Sequence, residues 1–335
     1  MTDIALGWRL GGRTGWQVCG TELAKALARM GVAVHVPEGV DGPYLAPWDV
    51  QLLQPLLTRK PDPEAVRISP VGNDLLPEPK EGSVGLVFLE NPVLTPEAVA
   101  RGKRCKALLA GSTWVQSVLR DHGLASTVML QGVDRALFCP GPKPPLLGEV
   151  KGPVIFSGGK LEYRKGQDRV IRAFKSLLER EPGAILLTCW GNGWKFSLDT
   201  IGEAGLGVPR STDSMDLTVW LAGLGIPAAN QCHLSSLPHH TLPYYLRLAD
   251  QAWFPNRCEG GTNLPAMECL AMGMPTWLSP GHGHDDLRGM GAEWLPEGEE
   301  DTVKALTTEP RGSRLVGRNL PTWDEAARVL LEAAR

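Results

Sequence analysis

No apolar run in this 335-residue chain approaches the roughly 18 residues that a membrane-crossing helix needs, so an integral membrane protein is not expected. The opening residues, MTDIALGW, show no basic stretch followed by an apolar one, so no secretory leader is expected. Strong positive charge is missing as well. Thirty-four Lys+Arg against 37 Asp+Glu leave a formal charge of −3, which argues against a general nucleic-acid binder. The cysteines (Cys19, Cys105, Cys139, Cys189, Cys232, Cys258 and Cys269) are odd in number and form no C-x-x-C pair. They read as small buried side chains in a reducing cytoplasm. Neither an internal repeat nor a low-complexity tract is present, and the early glycines lack the G-x-G-x-x-G spacing of a dinucleotide fingerprint. The histidines form no metal-ligand set.

What is present suits a globular α/β protein: 43% hydrophobic and 21% charged residues, in a length sufficient for two domains. Residues 4–10 form an apolar strand ending in Gly11 and Gly12. Leu23, Leu27 and Met30 recur at helical spacing after Thr21, a candidate N-cap, with Gly31 as the stop and a second strand at 32–36. This is the first unit of a doubly wound sheet. Proline and glycine crowd residues 37–79, where only 50–57 is apolar enough to be partly helical. Further strands are expected at 84–89, 108–111 and 128–130, with helix starts at Thr95-Pro96-Glu97 and Ser112. Residues 141–152 are the best linker, being rich in Pro and Gly without periodicity. A second sheet follows, with strands at 154–157, 184–189 and 232–237. Helices are expected around 170–178 and 217–224, a glycine-rich loop at 191–210, and an amphipathic final helix at 322–334.

Residues 256–279, NRCEGGTNLPAMECLAMGMPTWLS, carry the most information. Glu259 ends an apolar strand, Gly260 and Gly261 make a turn, a helix carries Glu268, and another strand begins at Thr276. Glycines at a helix start let backbone N–H groups approach an anion, and the helix dipole favours negative charge there. Two carboxylates bracketing that turn can accept hydrogen bonds from vicinal hydroxyls. A diphosphate flanked by two polyols is a nucleotide sugar.

The stretch resembles the donor-binding signature of the family 4 retaining glycosyltransferases, whose GT-B architecture has two facing Rossmann-like, doubly wound α/β domains and an interdomain cleft. FSGGKLEYRKG (156–166) is similar to that family's strand, glycine turn and two basic residues, with Lys160 and Lys165 at the family's separation. QGVDRALFCP (131–140) resembles its interdomain segment, LPYYLRLADQAWFP (242–255) its helix and strand before the acidic motif, and residues 11–21 its early glycine-rich turn. The resemblance covers the second half of the chain well and the first half thinly. It implies an acceptor-side domain over 1–145 and a donor domain over 146–335, with a final helix about 322–335 able to cross back onto the first.

The implied activity is metal-independent, retaining transfer of a sugar, of hexosyltransferase type, from a nucleotide-diphosphate sugar to an acceptor, with no further cofactor. Lys160 and Lys165 would meet the phosphates and Glu268 the ribose hydroxyls. Glu259 would meet the donor sugar, while Gly260, Gly261, Thr262, Asn263 and Leu264 would line the diphosphate and sugar. Gly15, with Gly11 and Gly12, would offer amides from the opposite side. Glu259, Lys165 and Glu90 are the catalytic candidates. Two departures stand out. Glu259 and Glu268 are one residue further apart than the family's usual acids, and Glu90-Asn91 stand where many relatives have a histidine. Glu90 or Asn91 can bond donor or acceptor, or merely cap a loop.

Other groups have two readings. His282, His284, Asp285 and Asp286 look like a metal set, but the resemblance puts their loop beside the donor pocket. His239 and His240 read as loop residues. Arg101, Lys103, Arg104 and Lys106 suit either a weak contact with an anionic membrane or acceptor, or a solvated helix end. Trp16 and Trp194 suit sugar stacking, while core packing explains most tryptophans, Trp8 and Trp114 among them. A GT-B epimerase or phosphorylase, or a non-catalytic nucleotide-sugar binder, are the competing functions.

Overall fold

Short apolar strands alternating with amphipathic helices build two six-stranded sheets. The computed structural model describes residues 3–57, 62–145, 150–234, 237–308 and 317–335. The first sheet contains β1 (Ile4–Leu6), β2 (Val34–His35), β3 (Val66–Val71), β4 (Val84–Val87), β5 (Ala107–Ala110) and β6 (Thr127–Val128), in the order β2-β1-β3-β4-β5-β6. The second contains β7 (Val154–Gly159), β8 (Ile185–Trp190), β9 (Gln231–His233), β10 (Gln251–Phe254), β11 (Thr276–Leu278) and β12 (Glu293–Trp294), in the order β12-β11-β10-β7-β8-β9. Every strand pair is parallel. Parallel strands need helices on both faces, so they read as continuous apolar runs. β4 and β10 are buried at every position.

Several expectations shift in detail. The first helix spans Gly15–Arg29 and is capped by Thr14, whose side chain accepts from Gln17 N while Gln17 reaches back. Thr21 is therefore inside the helix, and its hydroxyl bonds the Gly11 backbone instead. The glycine turn accordingly ends before residue 15. The crowded 37–79 segment hides a whole strand, β3, which contains Pro70. β1 pairs only with Val66, Arg67 and Ile68, so Pro70 lies past its end with β4 alone beside it, and a missing N–H is tolerated there. The helix in that segment runs Pro47–Leu57. Thr95 and Ser112 cap the helices Pro96–Lys103 and Thr113–Asp121, as the sequence suggests. The glycine-rich 191–210 stretch holds short helical turns at Lys195–Leu198 and Asp199–Ala204. The linker reading includes residues 146–149, and the 232–237 strand reading includes 235–236; both sets lie outside the described residues.

The final helix, Trp323–Ala334, begins with a Thr322–Glu325 capping box. Its apolar face (Trp323, Ala326, Ala327, Leu330 and Ala334) joins the same core as Ile4, Leu6, Leu23 and Leu27 of the first sheet and its first helix. Gly132 permits that crossing, because a Cβ there would lie 2.1 Å from Trp323 N. Leu330 is fully buried in this contact. Leu330→Ala should cost about 2–5 kcal/mol, read as a lowered denaturant midpoint with the slope unchanged.

Candidate functional site

In an open parallel sheet, ligands bind beyond the carboxyl ends of the strands, where the strand order reverses. In the second sheet that reversal falls between β7 and β10. β7 ends in Gly158 and Gly159, the latter at φ +111°. The chain then runs through Lys160 and a turn at Tyr163–Lys165 into the helix Gln167–Leu178, with Gly166 at φ +70°. Gly166 is obligatory here, since any Cβ would meet Pro255 O at 2.1 Å. That close approach sets Lys165 against the residues leaving β10. Its ammonium pairs with the Glu259 carboxylate, which also accepts from Asn256 Nδ2 at 2.8 Å. Burial opposes ionisation of Glu259, but Lys165 and then Arg164 override it and hold the carboxyl down at about 2.

A second group of charges joins this pair. Arg164 contacts Glu90 and lies 2.7 Å from Glu162, and its Nη1 donates to Cys258 O at 3.2 Å. Lys160 lies 3.0 Å from Glu162 and 3.4 Å from Glu90. The ring of Trp194 lies 5.6 Å from the Lys160 ammonium. Three cations thus face three carboxylates, and one of the carboxylates, Glu90, comes from the loop after β4 in the first sheet. Burial disfavours the Glu90 anion, yet Arg164 and Lys160 keep its pKa below the ordinary value.

The glycine turn seals the two sheets together. A Cβ on Gly260 would lie 2.0 Å from Leu89 O, and one on Gly261 would lie 2.9 Å from Gln131 Oε1. The Ser112 hydroxyl donates to Gly260 O at 2.9 Å. Thr262 is fully buried, Asn263 adopts φ +63° at the cap of the helix Leu264–Ala271, and Leu264 packs into the first sheet's core. Glu268, the fifth residue of that helix, is 3% exposed and accepts from His239 Nε2 at 2.6 Å.

Lys160, Lys165, Glu90 and Glu259 are therefore brought into one network. Glu268 has a partner of its own, and Gly15 opens the first helix with free space beside it. Sequence reading missed Arg164, Glu162 and His239. The KLEYRK run displays two of them openly, whereas His239 reads as an ordinary loop residue.

The loop after β11 does not gather its acids and imidazoles around one point. His284 is buried, with Nδ1 on Ser279 O at 3.0 Å and Nε2 accepting from Asn263 at 3.0 Å. Asp286 takes the Thr113 N–H and hydroxyl at 2.8 and 2.7 Å, favourably placed at a helix N-terminus. Asp285 holds Gly281 N and Arg288. Among the described residues, no group of three or more His, Cys, Asp or Glu is arranged to hold a metal. Of the basic cluster, Arg101 binds Asp74, Arg104 binds Glu78 and Lys106 donates to Ala334 O. Trp16 stacks edge-on between Trp8 and Phe88. No described helix is long and apolar enough to cross a membrane.

The sequence matches no protein-family model and no curated protein. Solved structures do match. Sucrose-phosphate synthase from Thermosynechococcus elongatus aligns with 99% of this chain and 98% of its own, at TM-score 0.69 and 15% identity. Anabaena HepE in complex with UDP and glucose aligns over 99% of each chain, at TM-score 0.64 and 14% identity. The trehalose-6-phosphate synthase OtsA covers 100% of this chain and 96% of its own, at TM-score 0.63 and 14% identity. The fold these share with the chain is GT-B, two doubly wound α/β units facing each other.

Acid should weaken the protein in two stages. Burial lowers the His284 pKa from 6.5 to about 4, and burial likewise lowers His233 to about 4. Their contribution is full above pH 6.5 and is lost as pH falls toward 4. Glu259, depressed from 4.5 to about 2, contributes fully above 4.5 and loses that contribution as pH falls through 2. Unfolding free energy measured against pH should show both stages, and Glu259→Gln should flatten the lower one.

Proposed function

We propose that the chain is a retaining, metal-independent glycosyltransferase of the family 4 kind, binding a nucleotide-diphosphate sugar at the β7/β10 crevice. The observation that carries this reading is the convergence of Lys160, Arg164, Lys165 and Glu259 at the strand-order reversal of the second sheet. The expected division is a donor unit over 146–335 and an acceptor-side unit over 1–145. The bond from the anomeric carbon to the diphosphate oxygen breaks, and an acceptor oxygen bonds to the same face of the sugar. The acceptor's proton passes to the departing phosphate. The diphosphate gains charge as it leaves, which Lys165 and its neighbours offset, while Glu259 takes sugar hydroxyls and Glu268 the ribose. HepE, a structural neighbour, was solved with UDP and glucose.

A diphosphate entering this site meets cations that are already paired. Glu90 is the carboxylate contributed from the other sheet, so donor entry requires it to release Arg164 and Lys160. Domain opening of the hinge type supplies that release. The same pairing favours a second reading, a nucleotide-sugar binder that does not turn over. Donor hydrolysis or transfer by purified protein separates the two.

Thermal-shift measurements across UDP-, GDP- and ADP-sugars test the binding reading. At least one should raise the melting temperature of the wild type, and Lys165→Ala should abolish the rise; no shift across the whole panel refutes it. Glu90→Gln should tighten inorganic pyrophosphate binding severalfold by removing one of the two carboxylates that Arg164 and Lys160 share with Glu162.

A further inference from the structure

The His239–Glu268 contact is built too firmly to be incidental. His239 lies in a single turn, His239–Thr241, which three separate contacts hold in place. Its backbone N–H donates to Gly12 O at 3.1 Å, tying it to the glycine turn of the first sheet. Its ring packs against Phe138 at 5.0 Å between centroids. Its Nε2 lies 2.6 Å from Glu268 Oε1. The ring therefore cannot rotate without losing its contacts with Phe138 and Glu268.

That arrangement constrains Glu268 in turn. A carboxylate has two acceptor oxygens. Oε1 is taken by His239, while Oε2 makes no hydrogen bond among the described residues and is not among the buried unpartnered atoms, so it keeps an opening to solvent. An oxygen left open in this way can take an incoming donor, and the fixed bond at Oε1 determines the direction in which Oε2 can accept one. Burial works against a charged His239, while Glu268 and then Glu22 raise its pKa above the ordinary value. The other charged or titratable groups facing it are Lys25 beside Glu22, Asp49 on the Pro47–Leu57 helix, and His240.

We propose that His239 is a positioning residue that aims Glu268 Oε2 at the 2′,3′-diol of a nucleoside diphosphate, so that preference for ribose over deoxyribose depends on His239. The inference rests on the nucleotide reading above. Gln at position 239 can present an N–H near the place of Nε2. Asn, being shorter, places its amide near Nδ1 and cannot reach Glu268.

The test is calorimetric titration of wild type, His239→Gln, His239→Asn and His239→Ala with the best binder among UDP, GDP and ADP, and with its 2′-deoxy and 2′,3′-dideoxy forms. Wild type should prefer the ribose form by roughly tenfold, the scale of one hydrogen bond to a charged acceptor. His239→Gln should keep most of that preference. His239→Asn and His239→Ala should reduce it to about onefold, while dideoxy affinity stays at the wild-type level. Full preference in His239→Ala, equal behaviour of the Gln and Asn variants, or no preference in wild type overturns the inference. If His239→Ala does not fold, the Gln–Asn pair still decides. Failure of all three nucleotides to bind wild type refutes the nucleotide reading itself, a result distinct from bound nucleotide without ribose preference.

Discussion

Charges removed from water must find partners close by, or the fold that removes them is lost. At the junction of the two sheets, Lys165 and Glu259 satisfy that requirement for each other, with side chains only 11% and 10% exposed. The rest of the junction is arranged around them. Arg164 and Glu162 extend the pairing along one side, and Glu90 closes it from the opposite sheet. The network is self-neutral, so it holds the two halves together without a ligand. On the function proposed above, donor binding would exchange one internal anion for an external one. On that reading electrostatics link cohesion and recognition, because the same cations would serve both.

Packing imposes a second condition. Gly260 and Gly261 approach the first sheet so closely that a methyl group at Gly260 would overlap the Leu89 carbonyl. Glycine at such positions is often explained by phosphate contact. In this structure the backbone of the facing unit occupies the space. Leu264, one turn further on, extends the contact by entering the first sheet's core. The segment that carries the acids is therefore a docking element as well, and its chemistry cannot be separated from the relation between the two halves.

Much of this was legible from residue order. The alternation of apolar runs with capped amphipathic helices announced two doubly wound sheets, and Thr95, Ser112 and Thr322 mark helix starts because their side chains accept orphan N–H groups. The KLEYRKG and CEGGTN segments pointed to the strand ends where the charges meet. Other features were hidden for physical reasons. β3 was obscured by Pro70, which is harmless only because β1 is short, a tertiary fact that no local pattern reveals. Thr21 imitates a cap, but Thr14 and Gln17 form the reciprocal pair one helical segment earlier. The partnership of His239 with Glu268 spans 29 residues of chain, and no periodicity connects them. Glu90 likewise meets Arg164 only because the sheets face each other.

The crossing of Trp323–Ala334 has a consequence for biosynthesis. The surface it covers belongs to the helix Gly15–Arg29, which leaves the ribosome well before it. Since chains emerge from their N-terminus, that apolar stripe stays uncovered until Trp323–Ala334 has been made. That core is thus completed only when Trp323–Ala334 arrives, and a nascent chain stalled short of this helix would expose a sticky face suited to chaperone capture.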